Sequence, residues 1–131
     1  MDSITVKTRT RQCLMDITSE VQQYLKSHNL ISGIVTIYCP HTTGGITINE
    51  GADPDVMRDI LAFLEKMVPH RGDYRHAEGN SDAHIKTSII GPSVQVIVED
   101  GRLMLGTWQK IFFAEFDGPR SRKVWLKWLQ G

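Results

Sequence analysis

The sequence predicts one α+β domain over residues 1–131, built on a mostly antiparallel, partly mixed β-sheet with about three helices against it. Two observations carry that prediction. Runs of strand-like alternation have helices inserted between the first and second halves, in place of the regular alternation a βαβ fold requires. No internal repeat, low-complexity segment or Ser/Pro-rich linker divides the 131 residues, and a chain of that length can bury a core without disulfides.

Residues 3–9 set Ile4 and Val6 against Thr5 and Lys7, a period of two that suits a strand with one wet face. Thr18 offers a cap for a helix in which Val21, Tyr24, Leu25 and His28 share a face, and Asn29 offers its stop. Residues 33–39 are apolar on both faces, which predicts a central strand. Pro40 breaks it, and Gly44-Gly45 lead into a short strand at 46–48. The clearest helix opens at Asp53-Pro54-Asp55, with Asp53 as N-cap and Pro54 at the first helical position. Its core stripe is Val56, Ile60, Phe63, Leu64 and Met67, and Pro69 stops it. Residues 69–79, rich in charge, glycine and histidine, read as loop, and a third helix is predicted over 81–90 with Gly91 behind it. The last third is β, at 93–99, 103–116 and 121–129. Asp100-Gly101 and Asp117-Gly118 are hairpin signals, so an antiparallel meander is expected, with Gly106 marking a bulge or close approach.

Fifteen basic residues balance fifteen acidic ones, so the overall field draws the chain toward neither nucleic acid nor membrane, and a charged partner must meet a local patch. No apolar run approaches the roughly 18 residues a membrane helix needs, and Met1-Asp2-Ser3 lacks the look of a leader, so a cytoplasmic location is expected. Cys13 and Cys39 form no CxxC spacing and read as small apolar residues.

Candidate chemistry centres on histidine. His41 continues the parity of Val35, Ile37 and Cys39 and so falls at the end of a buried face. His76 lies in the loop and His84 near the third helix. Three neutral imidazoles are a ligand set that catalytic zinc uses, although each histidine alone also suits an ordinary polar or capping role. Glu50 and Asp53 near His41, and Asp82 near His84, suit acid/base or ligand-orienting work. Asp53 is equally explained as a helix cap, and Asp82 by the helix dipole. In the final strand Val124, Leu126 and Trp128 share a parity that runs back through Arg122 to Arg120, so both arginines fall on the apolar side. There they are either phosphate-binding guanidiniums, helped by Lys86 and the amides of the third helix, or a snorkelling pair at a strand end.

The segments Pro40-His41-Thr42-Thr43-Gly44-Gly45, Asp53-Pro54-Asp55, Tyr74-Arg75-His76-Ala77-Glu78-Gly79-Asn80-Ser81-Asp82-Ala83-His84, Leu103-Met104-Leu105-Gly106-Thr107-Trp108-Gln109 and Glu115-Phe116-Asp117-Gly118-Pro119-Arg120 resemble the YjbQ family in order and spacing. That family is often labelled secondary thiamine-phosphate synthase. The resemblance implies a metal site on His41, His76 and His84, a homotrimer with sites near subunit boundaries, and a fold partly like a double-stranded β-helix. Ile97 departs from the family, whose members often carry proline there.

Three functions follow as expectations. The first is a metal-dependent enzyme on a small phosphorylated substrate, a thiamine-phosphate synthase in main or side activity. It would use a divalent transition metal such as zinc on the three histidines, Glu50 or Asp82 as orienting or proton-exchanging group, and Lys86, Arg120 and Arg122 on phosphate. The second is a non-catalytic module that binds metal or a phosphometabolite. The third keeps the histidines as polar residues sealing a trimer interface.

Overall fold

The elements follow in chain order as β1 (Asp2–Lys7), β2 (Cys13–Asp16), α1 (Thr18–Ser27), β3 (Gly33–Tyr38), β4 (Gly44–Glu50), α2 (Pro54–Met67), α3 (Ser81–Ile90), β5 (Ser93–Glu99), β6 (Arg102–Leu103), β7 (Gln109–Glu115) and β8 (Ser121–Gln130). They are described by a computed structural model of residues 1–131. One sheet has the order β1-β8-β3-β5-β6 and the other β2-β7-β4.

Every pairing is antiparallel, so the partly mixed sheet expected from the sequence does not form. The reason lies in the connections. A parallel pair needs a long crossover within one sheet, whereas α1, and then α2 with α3, each carry the chain from the three-stranded sheet to the five-stranded one. The expected meander is absent for a related reason. Only β5 and β6 make a hairpin, on Asp100 and Gly101, which both take the positive φ that a two-residue turn of this kind demands. The run 103–116 breaks around Gly106 into β6 and β7, which belong to different sheets, and Asp117-Gly118 leads from β7 across to β8 rather than around a hairpin.

Strand parity sorts the core. Val35, Ile37, Val96, Val98, Val124 and Leu126 of the larger sheet meet Ile46, Ile111 and Phe113 of the smaller one, with Val21 and Leu25 of α1 at one end. The opposite face of β7 adds Ala114, and Phe116 follows it, to a second cluster with Leu64 and Ala83 beneath α2 and α3. β7 is therefore buried on both sides.

Three local expectations change. β3 is central, but only its inner face is covered: Ile34 and Tyr38 stand on an exposed outer face. Thr18 does not cap α1, because its hydroxyl accepts the Ile111 backbone N–H at 2.8 Å and joins the helix to β7 instead. Asp53 caps α2 as expected, accepting the Asp55 N–H, but Phe63 and Met67 leave the core stripe exposed, since α2 packs through Ile60, Leu61 and Leu64. No helix is long and apolar enough to cross a membrane.

α3 is seated on β4 by a close approach. A Cβ on Gly45 would lie 2.5 Å from the Gly91 carbonyl oxygen, a backbone atom that cannot swing aside. Gly45→Ala is expected to cost about 1–3 kcal/mol in urea unfolding. A loss below about 0.5 kcal/mol would show that α3, and His84 with it, shifts freely on the sheet.

Candidate functional site

A polar cleft of about 470 Å³ opens where the strand ends of both sheets meet the N-terminus of α3, and no hydrophobic residue lines it. Its floor is a buried ion pair. Glu115, last residue of β7, is fully buried and accepts from Arg122 Nε at 2.9 Å and from Arg122 Nη2, while Thr8 donates to it at 2.7 Å and the Asp117 backbone N–H at 3.0 Å. Arg122 Nη2 also reaches Thr43 Oγ1 at 2.9 Å. Burial pushes the Glu115 carboxyl upward, but the bonds from Arg122, Thr8 and Asp117 outweigh it and hold the group below its ordinary range.

Arg122 keeps the inward parity read from the sequence, and only its Nη1 is without a protein partner. Arg120, just before β8, is half exposed and aimed by Asp117: its Nε donates to the Asp117 carbonyl at 2.7 Å and its Nη2 to the carboxylate at 2.9 Å. Asn80 holds the same carboxylate through Nδ2 at 2.8 Å, and its own Oδ1 is buried without a partner.

All three predicted histidines line this cleft. His41 sits where Pro40 has ended β3, and its Nε2 accepts the Lys123 backbone N–H at 3.0 Å. Burial, and after it the Arg122 guanidinium, lower its pKa and keep the ring neutral. His76, from the 69–79 loop, and His84, from α3, meet edge to face with ring centres 5.3 Å apart.

The remaining predicted residues lie elsewhere. Lys86 is fully buried, and its ammonium donates to Gln12, Glu65 and Asp82, so it has no donor left for a phosphate. Asp82 is buried too and takes Arg11 in a two-point bond at 2.9 and 3.1 Å. Glu50 accepts the Ala52 and Asp53 N–H groups and fixes the turn into α2. Sequence reading missed Thr43, Asn80 and Glu115 as site residues, and took Asp117 only as a turn. One signal was available, since a glutamate closing the apolar run Ile111-Phe112-Phe113-Ala114 requires a buried partner.

The donor set fits a metal in part. Two imidazoles sharing a tetrahedral zinc at Zn–N of about 2.0–2.1 Å would set their ring centres roughly 5 Å apart, close to the His76–His84 separation. His41 as placed does not join them, because its Nε2 lone pair is already used. No three His, Cys, Asp or Glu side chains stand together closely enough to hold an ion.

Residues 2–131 match the family described as UPF0047 protein YjbQ-like. The chain belongs to this family. It is 52% identical over 129 residues to the UPF0047 protein YugU of Bacillus subtilis, covering 97% of both chains. It is 34% identical over 136 residues to the UPF0047 protein Rv2556c of Mycobacterium tuberculosis, covering 99% of this chain and 98% of that one. Among solved structures, a YjbQ/UPF0047-family protein from Clostridium acetobutylicum superposes with a TM-score of 0.96 at 52% identity, over 98% of this chain and 100% of that one. A hypothetical protein from Aeropyrum pernix gives 0.94 at 40% identity, over 99% and 98%.

The floor pair yields a stability prediction with a defined sign. Glu115 has a depressed pKa in the folded chain, so its contribution is full above the unfolded value near 4.5 and is lost as pH falls through the lower folded value. Glu115→Gln strands the Arg122 charge and is expected to cost about 3–5 kcal/mol in denaturant unfolding at pH 7. The gap from wild type narrows in acid. A gap that is constant from pH 7 to pH 3 would mean that the carboxylate charge is irrelevant to the floor.

Proposed function

We propose that the chain is an enzyme acting on a small phosphorylated molecule, with a divalent transition metal, zinc by donor type, held at His76 and His84. The observation that supports this reading is the charge balance of the cleft. Each guanidinium already faces a carboxylate, Arg120 that of Asp117 and Arg122 that of Glu115, yet the Nη1 of each makes no bond within the protein. A phosphate entering the cleft meets aimed N–H donors but no surplus positive charge. A divalent cation in the same cleft supplies that charge.

Arg120 and Arg122 bind the non-bridging oxygens and stabilise charge on a departing pyrophosphate, because their carboxylates hold them in place before the ligand arrives. A bound zinc would act as a Lewis acid on a phosphoryl oxygen. The reaction that the family resemblance implies, union of a thiazole phosphate with a pyrimidine methyl pyrophosphate, develops charge of this kind. Thiamine-phosphate synthesis is therefore the specific activity to assay. Imidazole donors favour zinc over the Mg²⁺ that commonly accompanies pyrophosphate.

We assign the homotrimer to the outer face of the larger sheet. Ile34 stands opposite both Ile97 and Leu129 in the strand register, and Tyr38 opposite Trp125, whose ring it stacks at 5.8 Å. Leu129 is 69% and Ile97 60% exposed, and a stripe of five large apolar side chains across three strands calls for cover. In a cyclic trimer each copy sets this stripe against a different face of its neighbour, because a stripe paired with itself makes a twofold dimer, and self-association of that kind covers it without another partner.

Three measurements check these readings. Zinc analysis and pyrophosphate calorimetry should give about one metal per wild-type chain and tighter pyrophosphate binding with zinc than without. His76→Ala should lose the metal, and Arg120→Ala should keep it but bind pyrophosphate about tenfold more weakly. Equal pyrophosphate affinity in all three proteins, with or without zinc, would overturn the site; binding without turnover of any thiamine precursor would reduce the chain to a binding module. In sedimentation, wild type should run as a trimer and Trp125→Glu as a monomer. A Trp125→Glu protein that stays trimeric places the interface elsewhere.

A further inference from the structure

A strand that stops early leaves its neighbour with unpaired groups. β8 pairs Trp125 with Tyr38 of β3, and two residues along β8 the Lys123 N–H points to the same edge. Pro40 has ended β3 there. The ring of His41 takes the place of the missing strand, and its Nε2 accepts the Lys123 N–H at 3.0 Å.

That bond selects the tautomer. A neutral imidazole has one lone pair and one N–H, so committing the lone pair on Nε2 puts the proton on Nδ1. A second proton on Nε2 would set it against the backbone donor. Nδ1 has no bond within the protein and is not among the buried unpartnered atoms, and the side chain lines the cleft with Arg122 and Thr43.

We propose that His41 is the cleft's fixed hydrogen-bond donor to the bound anion, not a metal ligand, and that it offers Nδ1–H to a phosphate oxygen held by Arg122. The inference rests on the phosphate reading above and adds to it the division of the three histidines: His76 and His84 for the cation, His41 for the anion. A neutral donor adds a directed bond without adding charge to a cleft in which each guanidinium already faces a carboxylate.

The test compares wild type, His41→Gln and His41→Ala with His76→Ala, using inorganic pyrophosphate in the presence of Zn²⁺ and elemental analysis for bound zinc. Glutamine can place an acceptor near Lys123 and keep N–H donors, but it is a poor zinc ligand. His41→Gln is therefore expected within about threefold of wild type for pyrophosphate and His41→Ala weaker by about tenfold or more. Both should retain the zinc that His76→Ala loses. Zinc lost from both His41 variants, or pyrophosphate binding equally weakened in both, overturns the proposal. Long-range ¹H–¹⁵N spectra of the metal-free wild type read the tautomer without any ligand, and a proton on Nε2 overturns it as well. A wild type that binds no pyrophosphate, yet carries the proton on Nδ1 and keeps zinc in both variants, overturns the phosphate reading while supporting His41 as a non-ligand donor.

Discussion

The Glu115–Arg122 pair sets the relation between the two sheets. Glu115 belongs to the smaller sheet and Arg122 to the larger, and Thr8 and Thr43, which bond to the pair, follow β1 and precede β4. Desolvating two charges costs several kcal/mol each, which mutual attraction offsets only where the remaining hydrogen-bonding capacity is also met. Here Thr8, Thr43 and the Asp117 backbone meet all of it except Arg122 Nη1. The pair is thus a constraint on position more than a source of stability, since any sliding of one sheet over the other strands a charge. The same constraint forms the floor of the cleft, so the guanidinium offered to a ligand is held by the fold's own registration.

A second charge cluster, buried at Lys86 and Asp82, works alongside it. Lys86, Asp82, Arg11 and Glu65 join α3, α2 and the segment between β1 and β2. Burial pushes Asp82 up, but Arg11 and Lys86 outweigh it and keep the carboxyl below its ordinary range. This cluster orients α3 and so orients His84, though it contributes nothing to the cleft's lining. Lys86, expected on phosphate, and Asp82, expected to orient or exchange protons, are here the fastening of a helix.

How far the sequence reveals the fold depends on whether a signal is local. Asp53-Pro54 announces α2 and Gly91 closes α3 because caps act within one turn of helix. The Asp-Gly pair at 117–118 carries the same local signal as the one at 100–101, but the strands around it belong to different sheets, and nothing within four residues records that. β2 is four residues long and exists because β7 supplies its partner. At the site, alternation puts Arg122 on the inner face because it lies within β8, whereas His41 follows the break at Pro40 and is held by its bond to Lys123. Lys86 was misplaced although its spacing from Asp82 is the i, i+4 distance of a helical ion pair, the pattern that accounts for both residues. The His41 bond to Lys123 is beyond sequence reading, since it depends on where β3 stops relative to a strand more than eighty residues away.

Rigidity is distributed unevenly around the cleft. Arg122 is locked on every side but one, and His41 is pinned by a backbone amide, while Arg120 is half exposed and His76, on a loop, is 45% exposed. A ligand therefore meets a preformed anion floor and an adjustable rim. Preorganised donors lose little entropy on binding, so under the proposed function the floor would set where the phosphate lies. The rim histidines would then adjust to the proposed cation, whose position the phosphate would help to define. On the same proposal, the imidazoles of His76 and His84, which approach each other without a third ligand beside them, would take the cation's last ligands from the substrate, so that cation and anion would each complete the other's site.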